Sequence, residues 1–137
     1  MERGLLQSIS QTKLSDAEFL FQNERYSNAY YLFGYAAEIA IKARIAVRFR
    51  PETIPDKNFV NAVYSHNLNS LIGLAGLLED LNSARKASLE FDSHWSTVSD
   101  WNESVRYDVV DVFLSASMRN AMMDRDNGVF EWLQARW

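Results

Sequence analysis

The residues best suited to chemistry are polar groups set among apolar and aromatic neighbours. Glu38 and Lys42 lie four apart inside the most apolar stretch of the chain, 29–47. On a helix that spacing stacks them on one face, and the Glu-first order suits an ion pair. Such a pair either neutralises charge within an apolar helix or presents charge to a ligand. His66 stands just before an amphipathic run. A histidine there either bonds the open end of a helix or meets a ligand. Arg106-Tyr107 follows Trp101. An arginine beside aromatic rings either stacks and holds an anion or pins a loop. Asp108, Asp111, Asp124 and Asp126 have the types for paired acid–base work, although acidic residues at helical spacing usually form a solvated face.

Several function classes are excluded or unsupported. There is no cysteine, so no disulfide scaffold, thiolate metal site or cysteine nucleophile exists. The two histidines, His66 and His94, are far apart and no HExxH run occurs, so metal catalysis lacks support. Neither a phosphate-cradling glycine loop nor a GxSxG elbow is present. No catalytic residue, metal or cofactor is therefore expected. The net charge of −4 disfavours loose binding along nucleic acid, which depends on Lys and Arg displacing phosphate counterions. A local basic cleft is compatible with that charge. No run is apolar enough to span a bilayer, and the first residues lack a signal-peptide core. The expectation is a cytoplasmic protein with no membrane contact.

The elements that must position these groups are helices. With 137 residues, 47% hydrophobic and 23% charged, the chain suits a single globular domain over 1–137. Few prolines and glycines and long 3.6-residue periods predict an all-α fold. A first helix is predicted over 4–23. Within it Ser15-Asp16-Ala17-Glu18 has the form of a capping box. That segment is either a second helix start, leaving 1–13 as a looser arm, or exposed helix surface. A second helix is predicted over 27–49. Ala29, Phe33, Ala36, Ala40, Ala43 and Val47 share one face and Tyr31, Tyr35, Glu38 and Lys42 another. A helix apolar nearly all round needs burial nearly all round. This predicts a homodimer joined through helix two and the aromatic C-terminal region with Trp132 and Trp137.

Pro51 and Pro55 predict a loop over 50–57, followed by a short helical turn over 58–64. A third helix follows 65–67, with Leu68, Leu71, Ile72, Ala75 and Leu78 as its buried stripe. A weaker helix is predicted near 81–92, and 93–105, with Trp95 and Trp101, as irregular. The last long helix is predicted over 108–123. Asp126-Asn127-Gly128 then breaks the chain before a short amphipathic tail. The whole is expected to be an up-and-down bundle with its first two helices antiparallel.

Taken in order over 17–123, these motifs resemble a family. The run from Arg25-Tyr26 through Ala29 to Glu38, Lys42 and Ala43 resembles the early helix pair of HEPN domains (higher eukaryotes and prokaryotes nucleotide-binding). His66-Asn67-Leu68 with Leu71, and Arg106-Tyr107 before the final helix, resemble further family segments. The resemblance implies a bundle of four to five helices, usually a homodimer, with nucleotide- or RNA-related roles. Many members accompany nucleotidyltransferases in toxin–antitoxin or phage-defence systems, which makes such an enzyme a candidate protein partner.

The family's ribonucleases use an Arg, often followed by Asn, with a His four to six residues beyond the Arg. Arg119-Asn120 has that opening, but 124–126 are Asp124, Arg125 and Asp126, so the His is missing. Gly34 and Tyr35 stand where the family usually has Gln. Asp124 would be ionised and would repel an RNA phosphate, so cleavage is expected to be absent or very weak. Three readings follow. One is a non-catalytic accessory module that binds a protein partner, a nucleotide or both. Another is a divergent metal-independent endoribonuclease using Arg119 with a His from elsewhere. The last is a ligand-free dimeric helical scaffold. In all three, Glu38, Lys42, His66, Arg106 and Tyr107 are expected to approach one another, because charges in the most apolar helix are costly unless polar groups meet them.

Overall fold

The structure, a computed structural model, describes residues 1–137. It is all-helical: α1 Arg3–Gln22, α2 Tyr26–Ala46, α3 Lys57–Val63, α4 Leu68–Leu74, α5 Leu78–Ala87, α6 Leu89–Ser99, a 3₁₀ turn Glu103–Tyr107, α7 Val112–Met123 and α8 Val129–Gln134. No helix is long and apolar enough to cross a membrane.

The long pair α1–α2 forms an antiparallel hairpin. Ser10 Oγ donates to the Ala36 carbonyl at 2.7 Å, and Leu6 packs with Ile39 and Ala43. Glu24 closes α1 with positive φ, 62°, as Arg25 N–H reaches back to the Leu20 carbonyl. Ser15 is an exposed residue of one unbroken α1, so there is no second helix start. Residues 1–13 are not a looser arm, since Leu6 and Ser10 are buried there.

Eight α-helices replace the expected four to five, because caps divide what periodicity ran together. The predicted third helix stops at Ala75. Gly76 takes φ 74°, Gly76 N–H bonds the Gly73 carbonyl and Leu77 N–H bonds the Ile72 carbonyl. These two bonds form a Schellman termination. Leu78 therefore leaves the buried stripe, is 53% exposed, and begins α5, while Leu77 is buried. Ser88 ends α5 and caps α6, accepting from Phe91 N–H at 3.1 Å. Hence 93–99 is helical, contrary to expectation. Trp95 lies fully buried on α6 and donates to Asn69 Oδ1 at 3.1 Å. Asp111 caps α7 through Leu114 N–H, so that helix starts at 112 rather than 108.

Helix α2 is the axis of the bundle. Twelve of its 21 residues are buried, and α1, α4, α7, α8 and the 3₁₀ turn all pack on it. Its apolarity is thus consumed within the chain, and the inference that it must face a second subunit loses its basis. The C-terminal aromatics are likewise used internally: Trp132 packs on Phe91 and Trp137 on Phe130. Close approach to α2 depends on Gly34, where a Cβ would overlap the Trp101 indole. Trp101 is itself 2% exposed and sits beside Tyr31 and Tyr35, with ring centroids 6.0 and 6.3 Å away. Gly34→Ala is expected to destabilise the fold by about 3 kcal/mol, the upper range for forcing a methyl into packed space. Urea unfolding of the two proteins measures this.

Candidate functional site

The polar cluster forms around a buried carboxylate. Glu38, 1% exposed, points from α2 toward the segment joining α3 to α4. One of its oxygens, Oε2, accepts from Lys42 Nζ at 3.2 Å, and Oε1 lies 2.7 Å from His66 Nδ1. The other His66 nitrogen, Nε2, pairs with Glu103 Oε2. Glu103 Oε1 then accepts from Arg106 Nη1 at 2.8 Å, and the Arg106 guanidinium lies 4.8 Å from the Tyr107 ring centroid. The result is a continuous relay, Lys42–Glu38–His66–Glu103–Arg106, with Tyr107 at its end. It ties α2, the α3–α4 segment and the 3₁₀ turn together.

Each link has a local cause. The one-turn spacing of Glu38 and Lys42 stacks their side chains on α2. Asn67 caps α4 by accepting from Ser70 N–H at 2.9 Å, which holds the segment carrying His66. Asn102 caps the 3₁₀ turn through Ser104 N–H at 3.0 Å, which sets Glu103 and Arg106 one turn apart. A histidine with a carboxylate on each nitrogen donates to both only when both nitrogens carry hydrogen. Arg106 has its pKa raised, first by its hydrogen bond with Tyr107; burial opposes this, and Tyr107, the Glu103 charge and Tyr31 add smaller raising effects.

The relay is closed at one end and open at the other. Glu38 is buried, whereas the His66 and Arg106 side chains are 41% and 42% exposed. On the α1 side, Glu38 and Lys42 line a cleft of about 410 Å³ together with Lys13, Tyr31 and Tyr35. The Tyr31 and Tyr35 rings are 5.8 Å apart and tilted. Burial, helped by the nearby Glu38, Tyr31 and Glu103 charges, raises the Tyr35 pKa, so its phenol stays a hydrogen-bond donor. Aromatic faces, a phenol and two ammonium groups can bind a planar anion. No group of three or more His, Asp or Glu side chains is arranged to hold a metal ion.

All five residues expected to meet do so, except that Tyr107 joins only through Arg106 and is 78% exposed. The sequence reading missed Glu103, the link between His66 and Arg106. Its signal was the Glu103-x-x-Arg106 spacing, which puts the two one turn apart. It also missed Trp101 as the support beneath the tyrosines.

Arg119 and Asn120 lie elsewhere, on α7. Arg119 donates to Glu18 of α1 through Nε at 2.6 Å and Nη2 at 2.7 Å, and stacks 5.1 Å from the Phe21 centroid. That bidentate clamp engages the guanidinium inside the fold. Asn120 meets a histidine from another helix: its Nδ2 is 3.3 Å from His94 Nε2. His94 Nδ1 donates to the Asn127 carbonyl at 2.9 Å, leaving Nε2 to accept from Asn120.

No family model, curated protein or solved structure gives a significant match to this chain.

Two outcomes follow. Glu38→Ala leaves Lys42 and His66 facing an apolar helix and is expected to cost about 2 kcal/mol or more. Arg106→Ala, on the surface, is expected to change stability by less than about 0.5 kcal/mol. Chemical denaturation compares them. The second concerns acid. Arg119's hydrogen bonds hold the Glu18 carboxyl below its ordinary value of 4.5, against partial burial and with help from Gln22. Below 4.5 the unfolded chain therefore takes up this proton first, and the stabilisation is lost as pH falls through the lowered folded value. Arg119→Gln should flatten the fall of stability with pH below 4.5 while leaving its slope near neutrality unchanged, as read from unfolding curves across pH.

Proposed function

We propose that this chain is a non-catalytic, HEPN-like accessory module that binds a nucleotide in the cleft beside Glu38 and Lys42. The observation that carries the reading is the junction of a buried, cation-paired Glu38 with a cleft of about 410 Å³ that offers Tyr31 and Tyr35 beside Lys13 and Lys42. Aromatic rings suit a base, which every nucleotide presents as a flat π-face. The ammonium groups suit phosphate, and Arg106, within hydrogen-bonding reach of the cleft residue Tyr31, adds a third cation at its edge. A buried acid held between Lys42 and His66 also fixes the site's geometry before any ligand arrives, which lowers the ordering cost of binding.

A protein partner fits the same reading. Tyr107, Val109, Val112, Phe113 and Leu114 are 78, 97, 39, 80 and 44% exposed. An exposed apolar run of this kind suits association, with a nucleotidyltransferase-type protein or with a second copy in a homodimer. It replaces α2 as the surface for the dimer reading. A toxin–antitoxin or phage-defence setting comes from the HEPN resemblance alone.

The endoribonuclease reading has one observation in its favour, the contact of His94 with Asn120. Against it stands Arg119, already clamped by Glu18. RNA incubated with the protein in chelator is expected to stay intact, and cleavage lost on Arg119→Ala would reverse the assignment.

Calorimetric titration with AMP, ATP and GTP tests the main reading. At least one is expected to bind with a Kd of roughly 1–100 μM, ordinary for an open site. Arg106→Ala should weaken it about tenfold, the scale of one charged contact, with an unchanged melting temperature. No binding of any nucleotide by a folded wild-type protein would leave the scaffold reading in its place.

A further inference from the structure

Beyond Lys42 the same face of α2 runs on into a second hollow. Tyr31, Tyr35, Glu38, Lys42 and Ile45 follow one another at helical spacing, and Phe49 comes just past the helix end. Ile45 and Phe49, with Leu6 of α1 and Val60 and Val63 of α3, line a hollow of about 480 Å³. Eight of its nine lining residues are hydrophobic, and the ninth is Lys42. No carboxylate lines it. Lys42 lines the tyrosine cleft as well, as do Met1 and Leu6, so the two spaces adjoin at Lys42.

We propose that this hollow binds an amphiphilic anion, whose apolar chain lies against Ile45, Phe49, Val60 and Val63 and whose acidic head meets Lys42. The size fits, since small-molecule pockets commonly enclose about 300–1,000 Å³. Composition fits too: apolar walls with one convergent polar group describe such pockets in general. Charge selects among apolar ligands. Lys42 has three N–H donors, and its one carboxylate partner, Glu38, also serves His66. The Lys42 side chain is 17% exposed, so a neutral ligand filling the hollow would strip water from the remaining donors without replacing it. A cationic ligand would be repelled. An acid head group supplies the missing acceptors through charge-assisted hydrogen bonds. The rim favours entry of a chain, because Phe49 and Tyr64 are 40% and 74% exposed there.

The proposal goes beyond the nucleotide reading and does not rest on it, since the probe carries no base and no phosphate. Titration calorimetry with decanoate, 1-decanol and acetate separates the contributions of chain and head. Saturable one-to-one binding of decanoate is expected, with acetate silent and 1-decanol about tenfold weaker, the scale of one charge-assisted contact. Lys42→Gln should bring decanoate down to the level of 1-decanol. Because that substitution also disturbs buried Glu38, a second variant is needed. Val60→Trp, on the half-buried face of α3, fills the hollow and should abolish decanoate binding with the melting temperature and any nucleotide affinity unchanged. The proposal is overturned by any of three results: no saturable decanoate binding to the folded wild type, equal affinity for 1-decanol, or full binding by Val60→Trp.

Discussion

A carboxylate buried to 1% exposure in the most apolar helix is the constraint around which the rest of this structure is arranged. An unpaired charge there would cost several kcal/mol, so the fold must bring polar partners to it. Lys42 comes from the same helix at no topological cost. His66 does not: it must be carried in on the segment between α3 and α4, and its second nitrogen then recruits Glu103. Glu103 in turn fixes Arg106 at the surface. The need to neutralise one buried acid thus sets where three parts of the chain lie, and it ends in an exposed cation.

The packing of α2 follows a second constraint of shape rather than charge. Gly34 lets the Trp101 indole lie directly on the helix backbone, and Trp101 then supports Tyr31 and Tyr35. The indole N–H finds no acceptor among protein groups, so Trp101 is there for its volume. The elements α1, α4, α7, α8 and the 3₁₀ turn pack around α2 within the chain. A run of exposed apolar residues lies instead at 107–114, next to the open end of the relay. The exposed end of the relay and the exposed apolar run are therefore neighbours in sequence through Arg106 and Tyr107.

Helical class, the α1–α2 hairpin and the meeting of Glu38, Lys42, His66 and Arg106 were legible because each rests on spacing or on the cost of burying charge. Boundaries were less legible, since they depend on single caps: Gly76 in the left-handed region, Ser88 serving two helices, Asp111 delaying α7. Trp95 fell in a stretch predicted irregular because the helix predicted near 81–92 runs through Ser88, whose cap starts a new helix that continues to Ser99. The inference from α2 to a second subunit loses its basis for a different reason. Apolarity along α2 is a property of one helix, but what covers it depends on how many other helices pack around it. Glu103 and the Glu18–Arg119 clamp were unreadable as contacts, because pairing across 37 or 101 residues follows from the assembled fold.

The central claim is that the Glu38 relay organises a ligand site on the α1–α2 side of the bundle. Amide chemical shifts recorded while AMP is added to isotopically labelled protein test it most directly. The account predicts saturable shifts concentrated at Lys13, Tyr31, Tyr35, Lys42, His66 and 103–107, with α8 unmoved. Shifts confined to His94, Asn120 and their neighbours, or none at all at millimolar AMP, an affinity of roughly −4 kcal/mol or weaker, would contradict it.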